Sequence, residues 1–275
     1  MGPKVGPGLM FSPWVDEKVV KFAKRVLSNT GMALVSRADY AASRKKAASA
    51  QFDADFLGFI SGLEPDLAAK LIEALPFSRA QLRQDLVVLG LLSAQRNGFF
   101  VEFGATDGVQ RSNTFLLEKR FGWTGILAEP ALVWHQALKE SRNCAIDHRC
   151  VAGDGGQLVA FLEAEDAELS TLAKFRDADR HHREGLNYTV ETVSLNDLLV
   201  EHRAPQGFDY LSLDTEGSEI EILENFDLGF WCPRVVTVEH NYTSARSKLA
   251  DLFQQHGYRQ VHSSMSRWDS WFVRI

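Results

Sequence analysis

The sequence predicts an α/β fold in which a seven-stranded, mostly parallel sheet with crossover helices follows a helical N-terminal segment. Three observations predict this arrangement. From Gly98 onward, short runs rich in β-branched and aromatic residues alternate with windows of helical periodicity. The last two runs are joined by a short connection, which is typical of an antiparallel hairpin at a sheet edge. Residues up to Arg96 show helical periodicity without a strand signal. We therefore place a helical segment at residues 1–96 and the sheet domain at residues 97–275.

The predicted strands are short and separated by windows that we assign to helices. They are residues 99–103, 125–129, 145–151, 208–214, 235–239, 258–262 and 270–274. Ser194 is placed to cap one helix, with Asp197 in its first turn, and Gly257 is placed to end another.

Helical periodicity in the N-terminal segment is carried by residues 15–29, 65–76 and 79–95. Residues 36–55 are rich in alanine, serine and basic side chains, which is typical of a solvated helix or a mobile linker. Scaffolding is the simplest role for these helices. They are also candidates for a homo-oligomer interface, for shaping a substrate pocket or for docking a partner.

Composition excludes several classes of function. The 275 residues are 45% hydrophobic, enough to bury a full core, and the formal net charge of -6 disfavours a nucleic-acid partner. No run approaches the roughly 18 apolar residues of a membrane span. The three cysteines show no C-x-x-C spacing and leave one unpaired in any scheme, which favours reduced thiols and a cytoplasmic location.

The stretch "FFVEFGATDG" is the first functional signal. It is a predicted strand that ends in Glu102 and Phe103, followed by a turn from Gly104 to Gly108 with Ala105 and Asp107 inside it. The middle glycine of the dinucleotide pattern G-x-G-x-x-G is missing, and the two acids disfavour a pyrophosphate. They suit a cation. S-adenosylmethionine carries a sulfonium and an ammonium, so an acidic strand end can attract it in a partly desolvated pocket.

The second predicted strand also ends in an acid, Glu129. A carboxylate there is placed to accept hydrogen bonds from both ribose hydroxyls of an adenosine ligand. The alternative is an exposed carboxylate at a helix start ahead of Pro130. For Glu102 the alternative is a charge that merely precedes a turn.

Acids and a histidine also lie at two further strand ends. Asp214 ends the fourth strand, with Glu216 close behind, and Glu239 and His240 end the fifth. If the methyl acceptor is a hydroxyl, as the family resemblance described below implies, its methylation needs a general base or a metal ion, because an alcohol has a pKa far above neutral. Asp214, Glu239 and His240 could hold Mg²⁺ or a similar cation, or His240 could act as the base alone. Capping of the next helix is the alternative for Glu216, and a structural histidine is the alternative for His240.

Three segments, "FFVEFGATDGVQRSNTFLLEKRFGWTGILAEP", "VETVSLNDLL" and "FDYLSLDTEGSEIEILENF", resemble the FkbM family of S-adenosylmethionine-dependent O-methyltransferases. The resemblance covers roughly residues 97–275, and its most specific part is D-x-E-G-x-E from Asp214 to Glu219. It implies a class I (Rossmann-like) methyltransferase fold and methyl transfer to a hydroxyl of a sugar, glycan or glycosylated natural product.

The resemblance also implies roles for individual residues in the cofactor pocket. Carried over by position, the strand end and glycine turn line the methionine part, Glu129 holds the ribose, and the segment after the third strand faces the adenine. The cofactor-binding set is Glu102, Gly104, Ala105, Asp107, Gly108, Glu129, Val151 and Asp154. The catalytic set is Asp214, Glu216 and His240, and the candidate metal ligands are Asp214, Glu239 and His240.

Two other classes of function compete with this interpretation. An NAD-dependent oxidoreductase shares the strand, the glycine turn and the acid, but the missing glycine and the terminal hairpin weaken it. A non-catalytic module with the same fold would hold a partner through the N-terminal helices. Outside these sets, Trp271 is predicted to be core, Trp268 a sugar-stacking platform or an exposed hairpin residue, and "RHHRE" at residues 180–184 a solvated loop or a lid.

Overall fold

A computed structural model of the chain describes residues 37–178 and 181–275. The chain divides into two compact units, Met1–Ala54 and Asp55–Ile275. The predicted helix at residues 15–29 lies outside the described residues. This division after Ala54 differs from the boundary that we predicted after residue 96. The start of the methyltransferase domain at residue 97 stays a prediction. No helix in the described ranges is long and apolar enough to cross a membrane.

Three helices precede the sheet: α1 (Arg37–Ser61), α2 (Pro65–Ala74) and α3 (Gln84–Leu91). Helix α1 includes most of the alanine- and serine-rich stretch. Residues 38–51 of this helix are exposed, so the solvated-helix alternative is correct. Helix α2 begins at Pro65, where the missing N–H costs no hydrogen bond. Every residue of α3 except Leu91 is buried, so this helix belongs to the core of the second unit.

The main sheet has seven strands in the order β10-β11-β9-β8-β1-β2-β3. Its pairs are parallel except where β11 meets β9 and β10, as predicted for a terminal hairpin. The strands are β1 (Phe99–Phe103), β2 (Thr124–Ala128), β3 (Ala145–Asp147), β8 (Tyr210–Leu213), β9 (Val235–Glu239), β10 (Tyr258–Val261) and β11 (Asp269–Arg274). The fold is therefore the predicted seven-stranded, mostly parallel α/β fold.

The remaining helices lie between or beside these strands. They are α4 (Phe115–Phe121), α5 (His135–Ser141), α6 (Leu195–Glu201), α7 (Glu219–Glu224), α8 (Leu228–Trp231) and α9 (Ala245–Gln255). Buried side chains of β1, β8 and β9 pack with those of α6, α7 and α9 in one large apolar cluster. That cluster fixes the positions of the strand ends from which the site is built.

Residues 145–151 are not one strand, which corrects the sequence prediction. The chain leaves the main sheet after β3 because Asp147 turns it: its carboxylate accepts from the backbone N–H and the guanidinium of Arg149. Strand β4 (Cys150–Ala152) then joins a second sheet, of order β4-β7-β5-β6.

The second sheet occupies a region where we predicted only helices. Its other strands are β5 (Leu158–Ala164), β6 (Thr171–Leu172) and β7 (Gly185–Ser194). β5 pairs with β7 antiparallel over seven registered positions, so long-range pairing outweighs any local helical preference here. The β-branched run "YTVETV" in β7 was a signal for this strand.

Candidate active site

A cavity of about 560 Å³ opens at the carboxyl ends of β1, β2, β8 and β9. This is the edge at which parallel α/β sheets bind their ligands. The volume falls within the range of small-molecule sites, about 300–1,000 Å³. Its wall combines main-sheet strand ends with residues of the second sheet, of the α3 region and of the β10–β11 connection.

The glycine turn brings β1 close to β8. Gly104 has φ +68, and a Cβ at this position would overlap the backbone carbonyl oxygen of Asp214. Only glycine fits both the backbone conformation and the approach. Gly104 and Thr106 line the cavity, as expected for a turn that faces a ligand.

Glu102 does not line the cavity, unlike our prediction for it. Its carboxylate is 3% exposed and accepts from the backbone N–H of Asn113 at 2.6 Å, from the Ser112 hydroxyl at 3.0 Å and from the Thr114 hydroxyl. These hydrogen bonds close the loop between β1 and α4. Glu102 is thus neither a generic surface charge nor a wall residue; it holds the loop that forms the wall.

The other predicted turn residues also shape the loop from inside. The carboxylate of Asp107 accepts from the backbone N–H groups of Val109 and Gln110 at 2.8 and 2.7 Å. Gly108, with φ +76, packs against the side chains of helix α5 and Arg142. Ala105 is buried. None of Ala105, Asp107 and Gly108 is among the residues lining the cavity.

Arg142 stabilises this loop, and sequence reasoning missed it. The guanidinium is buried and donates to Glu118 at 2.7 Å, to the carbonyl of Gly108 at 3.1 Å and to the hydroxyls of Ser112 and Thr114. Burial alone would raise the pKa of Glu118, but the Arg142 charge and hydrogen bonds lower it to about 2. Nothing in the local sequence distinguishes Arg142 from a surface arginine at a helix end.

Glu129 lies on the cavity wall and is 4% exposed, so the exposed-carboxylate alternative is wrong. Its two oxygens accept from the backbone N–H groups of Thr106 and Ala131, each at 2.9 Å. Burial raises the pKa of Glu129 to about 7, against the lowering effect of these two hydrogen bonds. An acid that is held in place and still faces a cavity can accept ligand hydroxyls.

Of the two residues predicted to face the adenine, Val151 and Asp154, only Val151 lines the cavity. Val151 lines the cavity beside Cys150, and Phe161 and Leu172 of the second sheet continue this apolar wall. Asp154 is exposed and absent from the lining; its carbonyl accepts from the Thr192 hydroxyl in the turn after β4. The aspartate-glycine-glycine stretch is therefore a turn, which was the alternative for it.

Asp214 and Glu239 meet at the ends of β8 and β9 and line the cavity. One oxygen of each carboxyl group lies within 4.8 Å of the other. Burial raises the pKa of Asp214 well above its ordinary value, and the neighbouring charges of Glu216 and Asp269 raise it further. Burial and the Asp214 charge likewise raise the pKa of Glu239. Asp269 lies opposite Glu239 in the β9–β11 register, so acids occupy three adjacent strand ends.

Glu216 joins this group through the turn after β8. One oxygen each from Asp214, Glu216 and Glu239 lie within 4.8 Å of one another, close enough to hold a cation. Glu216 also pairs with the buried guanidinium of Arg183 at 2.6 Å. The predicted capping role belongs instead to Glu219, whose Oε1 accepts from the backbone N–H groups of Thr215 and Gly217 at 2.9 and 3.1 Å.

His240 is not brought to the cavity, which corrects its predicted place as base and metal ligand. It is 3% exposed and lines a separate cavity of about 60 Å³. Its Nδ1 accepts from the backbone N–H of Tyr242 at 3.0 Å, and its own backbone N–H donates to the carbonyl of Trp268. The side chain after a strand end turns away here because positive-φ residues Asn241 and Tyr242 reverse the chain.

The wall beside the acids comes partly from outside the predicted motifs. Gln84 donates through Nε2 to Asp269 at 2.9 Å, and Trp271 donates to the same oxygen at 3.2 Å. Gln81, Gln84, Trp268 and Asp269 line the cavity, and Trp271 is core as predicted. His181 also lines the cavity, whereas His182 pairs with Glu184 in an exposed position.

A mostly parallel seven-stranded sheet with an antiparallel terminal hairpin, and a cavity over its carboxyl edge, are the features of the class I (Rossmann-like) methyltransferase fold. The methyltransferase FkbM domain matches residues 102–260, more than half of the chain. The chain belongs to the FkbM methyltransferase family, and S-adenosylmethionine is the cofactor that this family implies.

The solved structures that align with the chain at low sequence identity include two methyltransferases. Precorrin-6y C5,15-methyltransferase from Geobacter metallireducens is 12% identical, with 69% of this chain and 85% of that chain covered and a TM-score of 0.38. A putative RNA methyltransferase from Pyrococcus horikoshii is 11% identical, with 88% and 98% covered and a TM-score of 0.37. Similarity at this level does not identify an acceptor. No curated protein matches the sequence.

Proposed function

We propose that the chain transfers the methyl group of S-adenosylmethionine to a hydroxyl of a sugar, glycan or glycosylated natural product. The observation that carries the proposal is the pair of half-buried carboxyl groups, Asp214 and Glu239, which line the cavity with an oxygen of each within 4.8 Å of the other. Methylation of an alcohol needs a group that takes up the hydroxyl proton.

The cavity fits the cofactor that the family implies. Glu129 presents a buried carboxylate suited to ribose hydroxyls, and Val151, Phe161 and Leu172 offer an apolar surface suited to an adenine ring. When bound, S-adenosylmethionine supplies an electrophilic methyl group on a sulfonium. The protein must then orient the acceptor oxygen in line with that methyl group and remove its proton.

We assign the proton to Asp214. As the hydroxyl oxygen forms its bond to the methyl carbon, the carbon–sulfur bond breaks and the hydroxyl proton passes to the carboxylate of Asp214. The products are a methyl ether and S-adenosylhomocysteine. A raised pKa strengthens Asp214 as a base once it is ionised.

The wall beside the acids supports a polyhydroxylated acceptor. Gln81, Gln84 and Asn241 supply amides, and Trp268 and Tyr242 supply aromatic surface. Amides and carboxylates pair with sugar hydroxyls, and an aromatic face can cover the apolar face of a sugar ring. Buried carboxyl groups disfavour an anionic acceptor.

A divalent cation is the second candidate for activating the hydroxyl. Asp214, Glu216 and Glu239 would hold it, since their oxygens lie within 4.8 Å of one another and hard cations prefer oxygen ligands. The Arg183 guanidinium on Glu216 competes with such an ion. Chelation followed by titration with Mg²⁺ or Mn²⁺ tests it: metal-dependent turnover would replace the base assignment with a metal site.

The proposal is tested with Asp214→Asn. We expect transfer of labelled methyl groups to glycosides and glycans to fall by about 10²–10⁴-fold, while S-adenosylhomocysteine binds within about threefold of wild type by calorimetry. Unchanged turnover would reject Asp214 as the base. Loss of cofactor binding would show that Asp214 binds the cofactor and is not the base. Wild-type protein that binds the cofactor but transfers no methyl group to any hydroxyl would favour the non-catalytic alternative.

A further inference from the structure

Asn113 carries a buried polar atom that the fold leaves without a partner. The residue precedes α4, is 9% exposed and is among the residues that line the large cavity. Its side-chain oxygen, Oδ1, has no hydrogen-bond partner within residues 37–178 and 181–275. Buried amide oxygens are nearly always hydrogen-bonded, because removing them from water without a partner is unfavourable. An unpaired one in a cavity wall indicates a ligand that donates.

The rest of Asn113 is engaged inside the fold. Its backbone N–H donates to Glu102 at 2.6 Å, and Nδ2 donates to the Ser212 hydroxyl at 2.9 Å. The Ser212 hydroxyl in turn lies 3.4 Å from that of Thr237, which hydrogen-bonds Tyr210 at 2.7 Å. Asn113 is therefore anchored to the ends of both β1 and β8, and the amide oxygen is the atom left for a ligand.

The surroundings indicate which donor it takes. Asp214 and Glu216 line the same cavity, so the local field favours a cation over an anion. Of the acids that the sequence suggested for the ammonium, Glu102 accepts hydrogen bonds from the loop with both oxygens, and Asp107 accepts two with Oδ1 and does not line the cavity. The cofactor's only ammonium lies at its methionine end, and the turn containing Gly104 faces the cavity beside Asn113.

We infer that Asn113 is a cofactor-positioning residue whose Oδ1 accepts a hydrogen bond from the ammonium group of S-adenosylmethionine. Through this bond the residue fixes the methionine end and with it the sulfonium. The inference concerns cofactor binding and needs no acceptor, so it stands or falls separately from the proposed hydroxyl substrate.

The test compares two ligands by calorimetry at pH 7.5. S-adenosylhomocysteine has the amino-acid group, and 5′-methylthioadenosine lacks it. We expect Asn113→Ala to weaken binding of S-adenosylhomocysteine about tenfold or more, because hydrogen bonds to charged groups are the stronger ones. Binding of 5′-methylthioadenosine should weaken less than about twofold. Asn225→Ala is the matched control: its amide bonds the Glu221 carbonyl outside the cavity lining, and both affinities should stay unchanged.

Asn113→Asp shows whether Asn113 binds the ammonium of the ligand or the carboxylate next to it. Aspartate keeps an oxygen in the place of Oδ1, so S-adenosylhomocysteine should bind within about threefold of wild type. Loss as large as in Asn113→Ala would mean that the amide nitrogen holds the carboxylate, and would overturn the inference. Equal losses for both ligands in Asn113→Ala would show a merely structural role. Wild-type protein that binds neither ligand would reject the cofactor itself.

Discussion

The backbone N–H of Thr106 donates to Oε2 of Glu129, with 2.9 Å between the two atoms. This hydrogen bond ties the glycine turn after β1 to the end of β2. The two sequence signals for the cofactor, an acid at each strand end, are therefore parts of one unit. Glu129 both fixes the turn and faces the cavity, and its protonation should affect ligand binding.

Binding of S-adenosylhomocysteine should tighten as the pH rises from 6 to about 8 and then level off. The raised pKa of Glu129, about 7, means that the carboxyl group is largely protonated at pH 6. Ribose hydroxyls donate best to the ionised form, so each pH unit below the pKa weakens binding by at most about tenfold. Calorimetry across this range measures the effect. Glu129→Gln should bind more weakly and lose the dependence; a dependence that survives would come from another group.

Gly104→Ala should destabilise the protein more than Gly156→Ala. Both glycines have positive φ, +68 and +72, but an added Cβ meets the Asp214 carbonyl only at Gly104 and nothing within 4 Å at Gly156. The backbone term alone costs about 1–2 kcal/mol, and the overlap should add about 1–3 kcal/mol. Urea unfolding measures both. Equal losses would show that the turn can move away from β8.

Arg142→Met should lower the free energy of unfolding by about 3–5 kcal/mol, because it leaves buried Glu102 without a cation and leaves Glu118 with Lys119 alone. The control is Arg149→Met, which removes partly exposed ion pairs to Asp147 and Glu201 and should cost about 1 kcal/mol or less. In wild type, the lowered pKa of Glu118 adds stability above its ordinary value of 4.5 that is lost as the pH falls toward 2. The Arg142 variant should lack most of this acid dependence.

Glu219→Ala should destabilise the turn after β8, and Glu221→Ala should not. Glu219 accepts from the backbone N–H groups of Thr215 and Gly217, so its loss leaves those donors unpaired at a cost of about 1–3 kcal/mol. Glu221, on the same helix turn, pairs with Lys174 at the surface and should contribute less than about 1 kcal/mol. Thermal unfolding compares the two. Equal losses of stability would mean that the two carboxylates act through the helix dipole and not through the hydrogen bonds of Glu219.

Predictions from local pattern succeeded where a strand is buried in the main sheet. β1 and β9 have the predicted bounds. β2, β8, β10 and β11 differ from the predicted bounds by one or two residues at one or both ends. Their continuous apolar runs are a strong signal because both faces of a parallel sheet are covered. The second sheet was missed because its strands β5 and β7 are partly exposed and lack the continuous burial of the main-sheet strands, and its edge strand β6 has only two residues.

The candidate site was predicted in part. Glu129, Gly104, Val151, Asp214, Glu216 and Glu239 do line one cavity. Glu102, Asp107 and Asp154 carry the right chemistry at the right strand ends, but their oxygens or their loops face elsewhere. His240 follows a strand end, yet the chain reversal after it directs the ring into a separate cavity.

The sequence by itself determined the main-sheet strands in chain order, the acids at their ends and the family, because these depend on periodicity and on residues close together in the chain. Tertiary structure decided which acids face the cavity, which ones brace the loop and which distant groups complete the wall. Arg142, Asn113 and the Gln84–Asp269 pair belong to that second kind. Their roles come from burial and from hydrogen bonds between segments far apart in sequence, and no local pattern encodes those.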